Sequence, residues 1–123
     1  MNDEQGTRDL KERTTEFALR IIRLCSTLEK GGPSGVIGRQ LLRCGTSVGA
    51  QYREAARARS PQEFISKIES AAQELDETLY WMELLAESGI VRASLLSSLQ
   101  VEANELMAIF VASVRTAKKN KGR

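Results

Sequence analysis

SPQEFISKIESAAQELDETLYWMELLAESG, residues 60–89, decides the fold. Ser60 can accept a hydrogen bond from the first helical turn, Pro61 suits the first helical position, and Glu63 completes a capping box. Behind that start, Phe64, Ile68, Ala71, Leu75, Met82 and Leu85 or Ala86 recur in steps of three and four, or seven across two turns. Such spacing builds one apolar face on a helix. Gly89 supplies the stop, so the stretch reads as a helix over 61–88.

Working outward, the same period recurs three more times. Leu10, Phe17, Ile21, Leu24 and Leu28 form a stripe that Ile22 and Cys25 widen, and Gly31-Gly32-Pro33 ends it. Ile37, Leu41, Cys44, Val48, Tyr52 and Ala55 form a second, with Ser34 as its expected cap. Leu96, Leu99, Ala103, Leu106, Phe110, Val114 and Ala117 form the last. The expected helices are about 9–30, 35–59, 61–88 and 93–118, after a flexible segment 1–8 and before a basic tail 119–123. Four long helices joined by short loops predict an all-α, antiparallel, up-down-up-down four-helix bundle over 9–118.

Composition agrees and excludes several alternatives. The chain has 123 residues, enough for one domain. Its 41% hydrophobic and 28% charged content fits a folded soluble protein. Two prolines and 5% aromatic residues are too few for a β-sandwich. The start, Met1-Asn2-Asp3-Glu4-Gln5-Gly6, is polar and has no apolar core of a signal peptide. The longest purely apolar run, Met107 to Ala112, is far short of a bilayer span, so no membrane contact and a cytoplasmic location are expected.

Histidine is absent. That removes the commonest general base, the commonest zinc ligand and every Ser-His or Cys-His pair. Di-iron carboxylate bundles need Glu-x-x-His motifs, which Glu74, Glu77, Glu83 and Glu87 cannot complete. Cys25 and Cys44 read as small buried hydrophobes in a reducing compartment. The expectation is a non-enzyme with no metal, no cofactor and no small-molecule substrate.

The overall charge of +2 conceals segregation by helix. Residues 1–33 are neutral; 34–59 carry five arginines against Glu54; 60–88 carry seven acids against Lys67; 89–123 carry six basic groups against two acids. At about 100° per residue, Arg39, Arg43, Arg53 and Arg57 share a sector roughly 80° wide, opposite Leu41 and Val48. On the third helix Glu69, Asp76 and Glu83 recur every seven residues beside the apolar face, as paired helices arrange their flanking charges. The arginine line has three readings: phosphate contact, contact with the acidic flank of another subunit, or a solvated face paired locally with Glu54. The basic residues Lys118, Lys119 and Lys121 add a tail patch.

Gly38, Gly45 and Gly49 sit within the second helix, each about 1 kcal/mol worse than alanine there. With Ala56 they line one strip, and a strip without side chains admits another backbone, making it an oligomer-interface candidate. The alternative is a helix broken at Cys44-Gly45-Thr46. Tyr80 and Trp81 favour packing at a bundle edge or subunit interface over base stacking, since no further aromatic continues a platform.

The strings Gly38-Arg39-Gln40-Leu41-Leu42-Arg43-Cys44-Gly45-Thr46-Ser47-Val48-Gly49-Ala50, Glu54-Ala55, and Glu77-Thr78-Leu79-Tyr80-Trp81-Met82-Glu83-Leu84-Leu85 resemble the four-helix bundle proteins encoded in 23S rRNA intervening sequences. The resemblance spans roughly residues 12–118. It implies a bacterial, cytoplasmic bundle that forms a ring-like homopentamer, and it brings no catalytic residues. That family is similar in fold to the accessory variability determinant of diversity-generating retroelements, a basic pentamer that binds nucleic acid and a reverse transcriptase. The expected function is a self-assembling bundle that binds ribosomal RNA or another nucleic acid through basic surfaces. The alternative is a protein-interaction scaffold whose charged faces serve assembly.

Overall fold

The computed structural model describes residues 3–121, with side chains from Asp9 onward. Four helices follow one another: α1 (Asp3–Ser26), α2 (Gly32–Ala56), α3 (Pro61–Glu87) and α4 (Ala93–Lys121), with no strand among the described residues. Short loops turn each helix back on the last. Extensive packing joins α1 to α2, α2 to α3 and α3 to α4, whereas α1 meets α4 only sparsely.

The ends of the helices show which local signals prevail. At α3, Ser60 Oγ accepts from Glu63 N–H at 3.1 Å, and Pro61 opens the helix. The Glu63 carboxylate reaches back to Arg59 N–H at 3.3 Å, one residue before the expected partner. At α2, Gly31 takes the cap position in place of Ser34, without a side-chain cap. Pro33 lies in the first turn, and Gly32 adopts φ +64°, a left-handed conformation that glycine enters at no steric cost. The first helix ends at Ser26, four residues early, where the Ser26 and Thr27 hydroxyls donate to Arg23 and Leu24 carbonyls. It also begins at Asp3, inside the segment expected to be flexible; Met1 and Asn2 lie outside the described residues. The tail remains helical to Lys121, with Gly122 and Arg123 outside the described residues.

The core follows the apolar stripes. Phe17, Ile21, Leu41, Cys44, Val48, Ala71, Leu75, Met82, Leu85, Leu96, Ala103, Leu106 and Phe110 are fully enclosed. Tyr52 and Phe110 stack in the core, ring centroids 6.1 Å apart. Burying apolar side chains of this size contributes about 1.5–3 kcal/mol each before the entropy of ordering is charged. Ile22 departs from expectation: it is 45% exposed, on the outer side of α1. By length and composition α4 is apolar enough to cross a membrane, but here its Leu96–Phe110 face lies in the core and Glu102 pairs with Arg13 of α1.

Candidate functional site

The arginine line of α2 divides in the folded chain. Arg43 turns to α3, where its guanidinium lies 2.9 Å from Glu77 and 3.7 Å from Glu74. The Glu77 hydrogen bond, strengthened by both carboxylates, raises the Arg43 pKa. Partial burial raises the Glu74 pKa against the opposing pull of Arg43. Arg53 donates to the Thr15 hydroxyl at 3.1 Å, and Arg57 Nε to the Arg53 carbonyl at 3.4 Å. Arg39 has no ion-pair partner among the described residues. The local partner once available to this line, Glu54, instead binds Lys67 of α3 at 2.9 Å.

Chain direction regroups the remaining charges. Because α2 and α4 run the same way, their C-terminal ends share one end of the bundle, beside the start of α3. Arg53, Arg57 and Arg59 therefore join Lys67, Arg115, Lys118, Lys119 and Lys121 at that end. A groove of about 510 Å³ lies there between the first turns of α3 and the last of α4, lined by Gln62, Ile65, Ser66, Glu69, Lys118 and Lys121. Lys118 reaches Glu69 at 3.4 Å, so one heptad acid is occupied within the chain. Arg59, Arg115 and Lys67 were not singled out in the sequence. Only the antiparallel topology, which places 53–67 beside 115–121, reveals them.

The glycine strip has an intrachain explanation. The second helix is unbroken through Cys44-Gly45-Thr46, so the broken-helix alternative falls. Gly38, Gly45 and Gly49 are buried and face α1. A Cβ on Gly45 would sit 2.9 Å from both Cγ1 and Cγ2 of Ile21; one on Gly49 would sit 3.2 Å from Thr14 Oγ1; one on Gly38 would sit 3.2 Å from Leu28 Cδ1. The backbone admitted by the missing side chains is that of α1 in the same chain. The close approach that offsets the helix penalty is therefore made within the chain.

Tyr80 and Trp81 meet at a 5.1 Å centroid separation with rings tilted by 58°. Trp81 packs against the core edge, while Tyr80 is 52% exposed. Asp76 and Glu83 are exposed on the same side of α3. The cysteines are free; burial pushes the Cys25 thiol up to about 11 and raises Cys44 as well. Neither is poised as a thiolate nucleophile. Among the described residues no cluster of three or more His, Cys, Asp or Glu is placed to hold a metal.

Residues 8–112 match the family described as 23S rRNA-intervening sequence protein. The chain belongs to that family. A crystal structure from Bacteroides thetaiotaomicron, described as a protein with unknown function from the S23 ribosomal protein family, superposes with a TM-score of 0.81 at 32% identity. That similarity covers 89% of this chain and 97% of the other. No functionally curated protein matches the sequence. Neither description names a catalytic activity. For this 23S rRNA-intervening sequence protein, Arg39, Arg43, Arg53 and Arg57 fall within the matched residues, whereas Arg115, Lys118, Lys119 and Lys121 lie beyond them.

Proposed function

We propose that this protein is a non-catalytic, self-assembling bundle that binds ribosomal RNA or another nucleic acid through its basic end. The observation that carries this reading is the gathering of Arg53, Arg57, Arg59, Lys67, Arg115, Lys118, Lys119 and Lys121 at one end of the molecule. Arg59, Arg115, Lys119 and Lys121 have no side-chain ion-pair partner among the described residues, which leaves their charges available to phosphate. Guanidinium and ammonium groups neutralise phosphates and release counterions, a sequence-independent source of affinity. The free thiols fit a reducing cytoplasm.

Assembly as a homo-oligomer, with the pentamer as the stoichiometry to test, has separate support. Leu19, Ile22 and Leu42 are exposed on the α1–α2 hairpin. The Cys25–Gly38 and Ile21–Gly45 contacts set a register that brings Ile22 level with Leu42. Exposed apolar side chains at one level of this hairpin offer contacts to another copy, and repetition would multiply a modest phosphate site.

Binding of a labelled structured RNA across a salt series tests the reading. The parent should show a steep fall of log K with log salt, and the combined variant Arg57→Glu, Arg59→Glu, Lys119→Glu, Lys121→Glu should lose roughly three units of that slope. Arg43→Gln, whose guanidinium is held by α3, should change it little. A parent without salt-dependent RNA binding, whose mass by light scattering nevertheless exceeds one chain, would favour the scaffold alternative.

A further inference from the structure

We propose that the basic end takes base-paired RNA, with the first half of α3 laid in the wide groove of an A-form duplex. The proposal rests on the nucleic-acid reading above and adds the class of ligand and the residues that select it. It starts from a change of character along one face of α3. Gln62, Ser66, Ser70 and Gln73, spaced i, i+4, i+8 and i+11, share a sector about 80° wide over about 16 Å of helix. All four are polar and uncharged; Gln62, Ser66 and Gln73 are exposed and Ser70 is half-buried. From Asp76 onward the helix turns acidic, with Asp76, Glu77, Glu83 and Glu87.

Cations flank the neutral strip on both sides. Toward α2, Lys67 bridges to Glu54, and Arg57 and Arg59 follow at the end of that helix. Toward α4, Lys118 reaches Glu69, with Arg115 and Lys121 one turn to either side. Gln62 and Ser66 share the groove at this end with Lys118 and Lys121. The acids beside the strip are already engaged: Glu63 accepts from Arg59 N–H and Glu69 meets Lys118. Because α3 lies between α2 and α4, and neighbouring axes are about 8–10 Å apart, the two rows stand roughly 11–14 Å from each other.

Successive phosphates of one strand advance only about 3.4 Å along the axis. A single strand can follow one row, whereas a duplex presents a different strand to each. A-form RNA offers a wide, shallow minor groove bordered by two backbones and displaying ribose 2′-hydroxyls. The 2′-hydroxyl both donates and accepts, as do the glutamine amide and the serine hydroxyl. Thr78 turns its hydroxyl back to the Glu74 carbonyl at 2.7 Å, whereas Ser66 and Ser70 make no such bond among the described residues. Phe64, the one aromatic residue between 60 and 75, packs against the core instead of presenting a face for an unpaired base. The acids beyond residue 75 repel phosphate and so confine the duplex to about the first four turns of α3.

The full-length protein is titrated, at one salt concentration, into three labelled probes of equal phosphate number. They are an RNA hairpin with a stem of about sixteen base pairs, a DNA hairpin of the same sequence, and an unstructured single-stranded RNA. The RNA hairpin should bind about tenfold tighter than the single strand and severalfold tighter than the DNA hairpin. The combined variant Gln62→Ala, Ser66→Ala, Gln73→Ala should bring the RNA hairpin down to the affinity of the DNA hairpin. Its salt slope and melting point should stay those of the parent, because these contacts release no counterions and the side chains are exposed. Arg57→Gln with Arg59→Gln, or Arg115→Gln with Lys121→Gln, should each lower the slope by about two and bring the hairpin toward the single strand. Three results would overturn the proposal while leaving the nucleic-acid reading intact: equal affinity for hairpin and single strand, equal affinity for RNA and DNA hairpins, or an undiminished RNA preference in the triple variant. Failure of all three probes to bind would remove that reading, and this one with it.

Discussion

α1 is held on its two sides by opposite means. Toward α2 the seam is made by absence: Gly38, Gly45 and Gly49 remove side chains, and Ile21, Thr14 and Leu28 occupy the space. Toward α4 the contact is sparse and polar, with Arg13 forking to Glu102 at 2.8 and 3.1 Å, touching Glu105 at 3.2 Å, and Arg20 donating to Ser98 at 2.6 Å. One seam depends on shape and is indifferent to salt; the other depends on charge and is screened by it. The two should therefore fail in different ways.

Gly45→Leu strikes the shape seam and should have the largest effect. Leucine gains about 1 kcal/mol of helix propensity. Its Cβ, however, would lie 2.9 Å from two branch carbons of Ile21, a fully buried side chain that cannot swing aside. Overpacking of this kind costs about 1–3 kcal/mol and more where neighbours cannot yield. A net loss of about 2–3 kcal/mol, or a melting point lower by roughly 10–15 °C, is expected by calorimetry. Gly31→Ala, with nothing within 4 Å of the added carbon, should lose only what alanine costs at a helix N-cap, about 1 kcal/mol or less. An unchanged melting point for Gly45→Leu would mean that α1 is not seated against α2 as described.

Arg13→Ala tests the charge seam and should cost less, about 1 kcal/mol. The loss includes leaving the partly buried Glu102 without its two-point partner. Arg13→Lys keeps the charge without the fork, so it should recover only part of the difference. The gap between Arg13→Ala and the parent should narrow in high salt, whereas the Gly45→Leu deficit should not. Salt-insensitive destabilisation by Arg13→Ala would show that its aliphatic stem, rather than its charge, closes the seam.

This contrast also explains what the sequence made legible. Helix number, order and core were readable because Phe17, Leu41, Leu75 and Phe110 keep the 3.6-residue period and burial obeys it. The glycine strip was readable as a close approach, but not which backbone approaches, since glycine names no partner. Likewise Arg43 and Lys118 were readable as exposed cations. Their partners Glu74, Glu77 and Glu69 lie on another helix, and pairing across helices depends on register, which the period of one helix does not contain. Thr78 was overlooked for a related reason: it interrupts the apolar stripe, yet it is buried because its hydroxyl donates to the Glu74 carbonyl at 2.7 Å and lies 3.2 Å from Cys44 Sγ. A backbone acceptor one turn back makes a buried threonine tolerable.

The smallest expected effect probes the shape seam from within. Cys25 sits in it with Sγ 3.4 Å from the Gly38 carbonyl. Burial first, and the neighbouring Cys44 second, raise its thiol from 9.0 to about 11. Between those values the unfolded chain releases a proton that the folded chain retains. Stability contributed by this thiol is therefore complete below about pH 9 and drains away as pH rises toward 11. Because the group is only half-buried, the loss should be no more than about 1 kcal/mol. Other groups titrate in the same range, so the quantity to measure is the difference between the parent and Cys25→Ser in denaturant midpoint from pH 8 to 11. That difference should shrink or change sign as pH rises. A constant difference would show that Cys25 is as well solvated in the folded chain as in the unfolded one, and that the glycine seam is open enough at this level for water to enter.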